Sequence, residues 1–125
     1  MVSSERTKLM SAQTTQSEYL VICRGSCDEN LSADDIQNIT DQFYAWYGRL
    51  ITEGKIKAGH RLRDEGKIVA ARKTITDGPF AESKEEIGGY WFILANSLEE
   101  AAQIATGNPC LDYGITIEVR PLFRS

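Results

Sequence analysis

Hydrophobic and polar positions along the chain fall into blocks that change period. Glu18 to Arg24, EYLVICR, is apolar and β-branched and closes on Gly25, the pattern of a buried strand. From Ile36 the period changes. Ile36, Ile39, Phe43, Trp46, Tyr47, Leu50 and Ile51 recur in steps of three and four, which marks one face of a helix. Ser32-Ala-Asp-Asp35 supplies a cap and first-turn acids at its start. Gly54 supplies a left-handed stop, so a helix is predicted over 33–53. Tyr90 to Ala95, YWFILA, is apolar throughout and predicts a strand covered on both faces. Ser97-Leu-Glu-Glu100 has capping-box spacing and opens a second helix through Ala101, Ala102, Ile104 and Ala105. Gly107 stops it and Pro109 forbids its return. Ile115, Ile117 and Val119 then alternate with Thr116, Glu118 and Arg120, a half-buried strand that ends at Pro121.

Between the first helix and YWFILA the pattern is weaker. In KAGHRLRDEGKIVAARKTIT, Asp64-Glu65-Gly66 is a turn signal between two short strands and predicts a hairpin across it. In TDGPFAESKEEIGGYW, Ser83-Lys-Glu-Glu86 has the spacing of a capping box, but Gly88-Gly89 limits any helix to about a turn. The same Gly pair suits a bulge or a close backbone approach. The predicted order is therefore β-α-β-β-β-α-β, an α+β domain with one antiparallel sheet and both helices on one of its faces. The other face still carries apolar side chains. A second copy of the chain, paired face to face about a two-fold axis, is the expected cover, so a homodimer is expected.

Length and charge narrow the classes. A chain of 125 residues argues for one core, read as a single domain over 18–125 behind a polar leader over 1–17 that lacks an apolar signal segment. The longest apolar run falls far short of the roughly 20 residues of a membrane span, so no membrane partner is expected. Three cysteines, Cys23, Cys27 and Cys110, form no disulfide framework and point to a reducing cytoplasm. With a single His in the chain, a tetrahedral Cys/His metal site is not expected, and no cofactor motif is present. Net charge −4 and pI about 5.0 argue against a nucleic-acid partner. The charge is uneven, however. Residues 49–73 carry eight basic and three acidic side chains, a local +5. That fits a solvated hairpin with cation-guarded edges, or a cationic rim beside a pocket for an acidic small molecule.

The C-terminal half carries a resemblance. Asp77-Gly78-Pro79-Phe80-Ala81-Glu82, then Lys84-Glu85, Gly88-Gly89-Tyr90, Glu99-Glu100-Ala101 and Glu118-Val119-Arg120-Pro121 occur in that order. The chain over about 18–122 thereby resembles the YCII-related, or DGPF-domain, family. The resemblance implies a ferredoxin-like fold of the dimeric α+β barrel kind. It implies no assigned function; some members are encoded beside, or fused to, transcription-related proteins. For one branch an enzymatic role rests on a His–Asp pair whose His lies inside the first helix. Here that helix, Ala33 to Glu53, holds no His, and only Asp77 maps directly.

Two candidate catalytic residues follow. Asp77 precedes a Gly-Pro turn, where an Asp commonly accepts backbone N–H bonds as a local cap; held rigidly at a cleft edge it can instead act as a base or orient a His. His60 suits proton transfer near neutral pH, although a lone His among Lys57, Arg61 and Arg63 is more often a surface residue. Arg72, Pro79, Phe80 and Arg120 are candidate ligand-binding residues, with Arg120 meeting an anion. Their alternative roles are structural: Phe80, Trp91 and Phe92 as core or dimer contacts, and Arg72, Glu118 and Arg120 as ion pairs across the sheet or between copies. The expected function is binding of a small polar or acidic molecule near the DGPF motif, with Asp/His acid–base chemistry if the protein is an enzyme. The alternative is a non-catalytic interaction module serving a transcription regulator or enzyme complex. Cofactor-free oxygenation is a third reading, by analogy of fold alone.

Overall fold

The computed structural model describes residues 16–25, 30–78 and 86–123. The elements are β1 (Ser17–Arg24), α1 (Ala33–Thr52), β2 (Ile56–Arg61), β3 (Gly66–Val69), β4 (Ile75–Gly78), β5 (Ile87–Ala95), α2 (Leu98–Ala105) and β6 (Thr116–Pro121). Short 3-10 turns occupy Ala71–Lys73 and Pro109–Tyr113. The main sheet has the order β2-β5-β1-β6, with every neighbouring pair antiparallel. β1 and β2 flank β5, so α1 crosses over between two strands that do not touch. With α2 linking β5 to β6, this is the ferredoxin-like α+β arrangement that the β-α-β period pattern predicts.

Both end signals for α1 hold. Ser32 Oγ accepts from the Asp35 N–H at 3.1 Å, and the Asp35 carboxylate accepts from the Ser32 N–H, a reciprocal capping box. At the other end Gly54 takes φ 77°. The Gly54 N–H reaches the Ile51 carbonyl and the Lys55 N–H the Leu50 carbonyl, which satisfies two orphan acceptors in a Schellman turn. In α2, Ser97 Oγ accepts from the Glu100 N–H. The Glu100 carboxylate accepts from the Asn96 N–H, one residue before the cap.

The core lies between the helices and one sheet face. Tyr19, Val21, Trp91, Ile93 and Ala95 meet Trp46 and Leu50 of α1 and Ala101 and Ala105 of α2. Val21 and Ile93 are fully enclosed. The opposite face has no helix on it among the described residues. Strand alternation and register place Leu20 and Ile22 of β1 and Tyr90, Phe92 and Leu94 of β5 there, all half-buried. Lys57 and His60 border them on β2, and Glu118 and Arg120 on β6.

The expected hairpin across Asp64-Glu65-Gly66 is corrected. β2 pairs with β5 in the main sheet, and β3 pairs with β4 in a separate two-stranded sheet. The tight turn is at Ala71–Lys73, where Arg72 and Lys73 have φ 63° and 59° and the Ala70 N–H bonds the Thr74 carbonyl. Neither Arg nor Lys advertises a left-handed turn, whereas Asp-Glu-Gly does, which is why the local signal pointed to the wrong corner. The segment Lys67 to Thr76 is thus two strands, not one. No helix among the described residues is long and apolar enough to cross a membrane. The leader expected over 1–17 falls almost wholly outside the described residues. So do Cys27, Pro79, Phe80 and most of the Ser83-to-Glu86 capping box.

Candidate functional site

Two irregularities shape the same end of the main sheet. In β2, Lys57 opposes Phe92 and His60 opposes Tyr90, so Ala58 and Gly59 share one partner, Trp91. In β5, Cys23 opposes Gly89 and Arg24 opposes Ile87, so Gly88 is the extra residue. Bulges of this kind bend a strand and re-aim its neighbours. The glycines are needed for the fit. A Cβ on Gly59 would sit 2.0 Å from the Tyr90 carbonyl oxygen, and one on Gly89 would sit 3.1 Å from that of His60. The Gly88-Gly89 expectation of a bulge and a close backbone approach is met at both positions.

The Gly59 bulge is tied to α1. Its N–H donates to Tyr47 Oη at 3.1 Å, so the phenol fixes the bulged strand to the helix above it. Around this junction opens a cleft of about 410 Å³. Its helix wall is Thr40, Phe43, Tyr44 and Tyr47, and its sheet side holds Cys23, Trp91 and the backbone of Gly59, Gly88 and Gly89. Cys110 and Ile115 also line it, and His60, Arg61, Asp64, Glu86 and Tyr90 complete the lining. The aromatic wall is packed ring on ring: Phe43 stacks on Tyr47 at 5.3 Å and meets Trp91 at 5.5 Å, and Tyr47 meets Trp91 edge-on at 5.7 Å. Trp91 Nε1 is buried without a hydrogen-bond partner. The volume falls within the range of small-molecule pockets, and most of the lining is apolar.

His60 Nδ1 and Tyr90 Oη lie 2.9 Å apart where β2 meets β5. Their register partnership puts both side chains on the helix-free sheet face, next to Phe92, whose ring meets that of Tyr90 edge-on. An imidazole hydrogen-bonded to a phenol can pass a proton to a third group near neutral pH. Further along the same face Glu118 accepts from Arg24 Nε at 3.0 Å and from an Arg120 guanidinium nitrogen at 3.3 Å. Those two bonds, the Arg24 one foremost, hold the Glu118 carboxyl below its ordinary value.

The other candidates fall elsewhere. Asp77 lies on β4, in the two-stranded sheet, with its side chain 90% exposed and its carboxylate paired with Lys67 Nζ. It is not among the described residues that line the cleft. Arg72 sits at the tip of that same hairpin, so it and Arg120 are on different sheets. Arg120 pairs with Glu118 within the chain. The structure therefore joins His60 to Tyr90 and Asp77 to Lys67. Pro79 and Phe80 lie outside the described residues.

Sequence reasoning passed over Tyr44, Tyr47 and Tyr90 as site residues. Tyr47 read as core because it shares the apolar period of α1, and only its position opposite Gly59 reveals the phenol's task. A tyrosine on a core-facing stripe, with a polar tip that needs a partner, was the available signal. Among the described residues no three His, Cys, Asp or Glu side chains come together to hold a metal ion.

The match to known families decides the lineage: the YCII-related domain model aligns with residues 18–124. The chain belongs to the YCII-related domain family. The DGPF and EVRP segments quoted from the sequence fall inside that match, as do the cleft and all of the main sheet but Ser17. In this YCII-related chain the first helix offers tyrosines to the cleft where a His was sought, and the one His comes from β2. No curated protein matches the chain.

Proposed function

We propose that this YCII-related protein binds a small polar molecule in the cleft between α1 and the bulged end of the sheet. The observation that carries this reading is the aromatic-walled cleft of about 410 Å³ between α1 and the bulged strands. Arg61, Asp64 and Glu86 in its lining bring charge of both signs, so a ligand with hydrogen-bonding donors and acceptors suits it better than a purely anionic one. Any acid–base chemistry falls to the His60–Tyr90 pair on the helix-free face of the same sheet end, with His60 carrying the proton and Tyr90 orienting it; Asp77, paired with Lys67, is the alternative carboxylate partner only after that ion pair opens.

The same reading includes a cytoplasmic homodimer formed over the helix-free face. Leu20, Ile22, Phe92 and Leu94 support it, since they leave apolar area open on a face that also carries paired charges of both signs, Lys57 with Glu18 and Arg24 with Glu118. Thermal-shift screening of a metabolite collection, followed by calorimetry on the hits, tests the cleft. A hit should lose about tenfold or more in affinity in Tyr44→Ala. A hit that binds Tyr44→Ala as tightly as wild type does not use this cleft, and the reading fails.

A further inference from the structure

The β3–β4 hairpin is the part of the described chain least able to support itself. Its register is Gly66 with Gly78, Lys67 with Asp77, Ile68 with Thr76 and Val69 with Ile75. Alternation places Lys67, Val69, Ile75 and Asp77 on one face. There Lys67 pairs with Asp77, and Val69 and Ile75 form an apolar cross-strand pair that is 68% and 65% exposed. Ile68, on the other face, is half-buried and packs on Gly78. A lone two-stranded hairpin is marginal in water. This one also holds two consecutive non-glycine residues, Arg72 and Lys73, in the left-handed region, a strained backbone for L side chains. A rigid tip with an uncovered apolar pair behind it has the form of a docking element.

We propose that the β3–β4 hairpin is an arm that seats on a second copy of the chain. Val69 and Ile75 cover apolar surface on the border of the second copy's main sheet, and Arg72 and Lys73 meet its carboxylates. The inference rests on the homodimer reading above. Charge selects the occupant. The arm, residues 66–78, carries Lys67, Arg72 and Lys73 against Asp77, +2 within a chain of net charge −4, which leaves −6 on the remainder. A second copy therefore presents an acidic complement to the arm, and a two-fold axis makes the contact twice. The second copy also brings the other uncovered apolar surface of this chain, its helix-free sheet face.

Sedimentation velocity of the full chain over a micromolar dilution series tests this. The Val69→Ser/Ile75→Ser double variant should raise the dimer dissociation constant about tenfold or more. Arg72→Glu/Lys73→Glu, which alters only the exposed tip, should weaken the dimer as well, with an effect that shrinks in high salt. Phe92→Lys on the sheet face is the reference. If wild type and all variants are monomeric, the homodimer reading fails and the arm with it. If wild type is a dimer that Phe92→Lys breaks while both arm variants leave it intact, the homodimer stands and the arm inference is overturned. It is equally overturned if the arm variants keep the dimer and lose a different protein partner.

Discussion

His60 Nδ1 meets Tyr90 Oη at 2.9 Å across neighbouring strands, and no other His exists in the chain to share its role. The bond fixes which imidazole nitrogen faces the phenol and leaves Nε2 as the position for a third group. In wild type the imidazole nitrogens should report one dominant neutral tautomer. Tyr90→Phe should shift the Nδ1 resonance while the backbone spectrum of the core stays in place. Long-range nitrogen–proton NMR reads a single residue here. Identical His60 spectra in both proteins would show that the pair does not form in solution.

Gly59 and Gly48 make opposite predictions for the same substitution. Gly59→Ala drives a Cβ to 2.0 Å from the Tyr90 carbonyl, a backbone atom that cannot give way. It should cost about 3 kcal/mol or more and disrupt the β2–β5 bulge. Gly48 lies inside α1 with nothing within 4 Å of its would-be Cβ. Gly48→Ala should stabilise by about 0.5–1 kcal/mol through helix propensity. Urea unfolding at one pH measures both.

Tyr47→Phe removes the acceptor of the Gly59 N–H while keeping the ring stack on Phe43. The expected loss is about 1–2 kcal/mol, the cost of leaving a part-buried backbone donor unpaired. Amide exchange at Gly59 should rise in step. Unchanged stability together with unchanged exchange would mean that water substitutes for the phenol.

Glu118 gives the acid-side prediction. Its carboxyl is held below the ordinary 4.5 by hydrogen bonds from Arg24 and then Arg120. A carboxyl lowered in the folded state binds its proton less readily there than in the unfolded chain. It therefore adds stability that is fully present above the unfolded value and is lost as pH falls through the folded one. Glu118→Gln should be least stable relative to wild type above about pH 5, and the gap should close as pH drops below about 4. Thermal melts across that range check the sign; a gap that widens in acid contradicts the network.

At the hairpin tip, Arg72→Gly and Lys73→Gly should be neutral or stabilising by up to about 1 kcal/mol, since each relieves a left-handed non-glycine residue. Ala at the same positions should not. Melting temperatures of the four single variants separate backbone relief from loss of charge.

The sequence by itself determined the elements whose signals are local. Ser32 and Gly54 bound α1 because caps and left-handed stops act within one turn of the chain, and the apolar stripe of α1 needs only its own period. YWFILA, the capped second helix and the Ile117–Val119 alternation are legible for the same reason. The DGPF and EVRP segments identified the lineage, but Asp77 lies in a two-stranded sheet, paired with Lys67, where the motif alone suggested a catalytic carboxylate. Tertiary structure decided what depends on partners distant in sequence. β2 chose β5 over β3, because pairing there extends the sheet that covers the core, an energy no turn signal encodes. That choice set His60 opposite Tyr90 and Gly59 beneath Tyr47, and so made a cleft out of residues that read singly as core, bulge and surface.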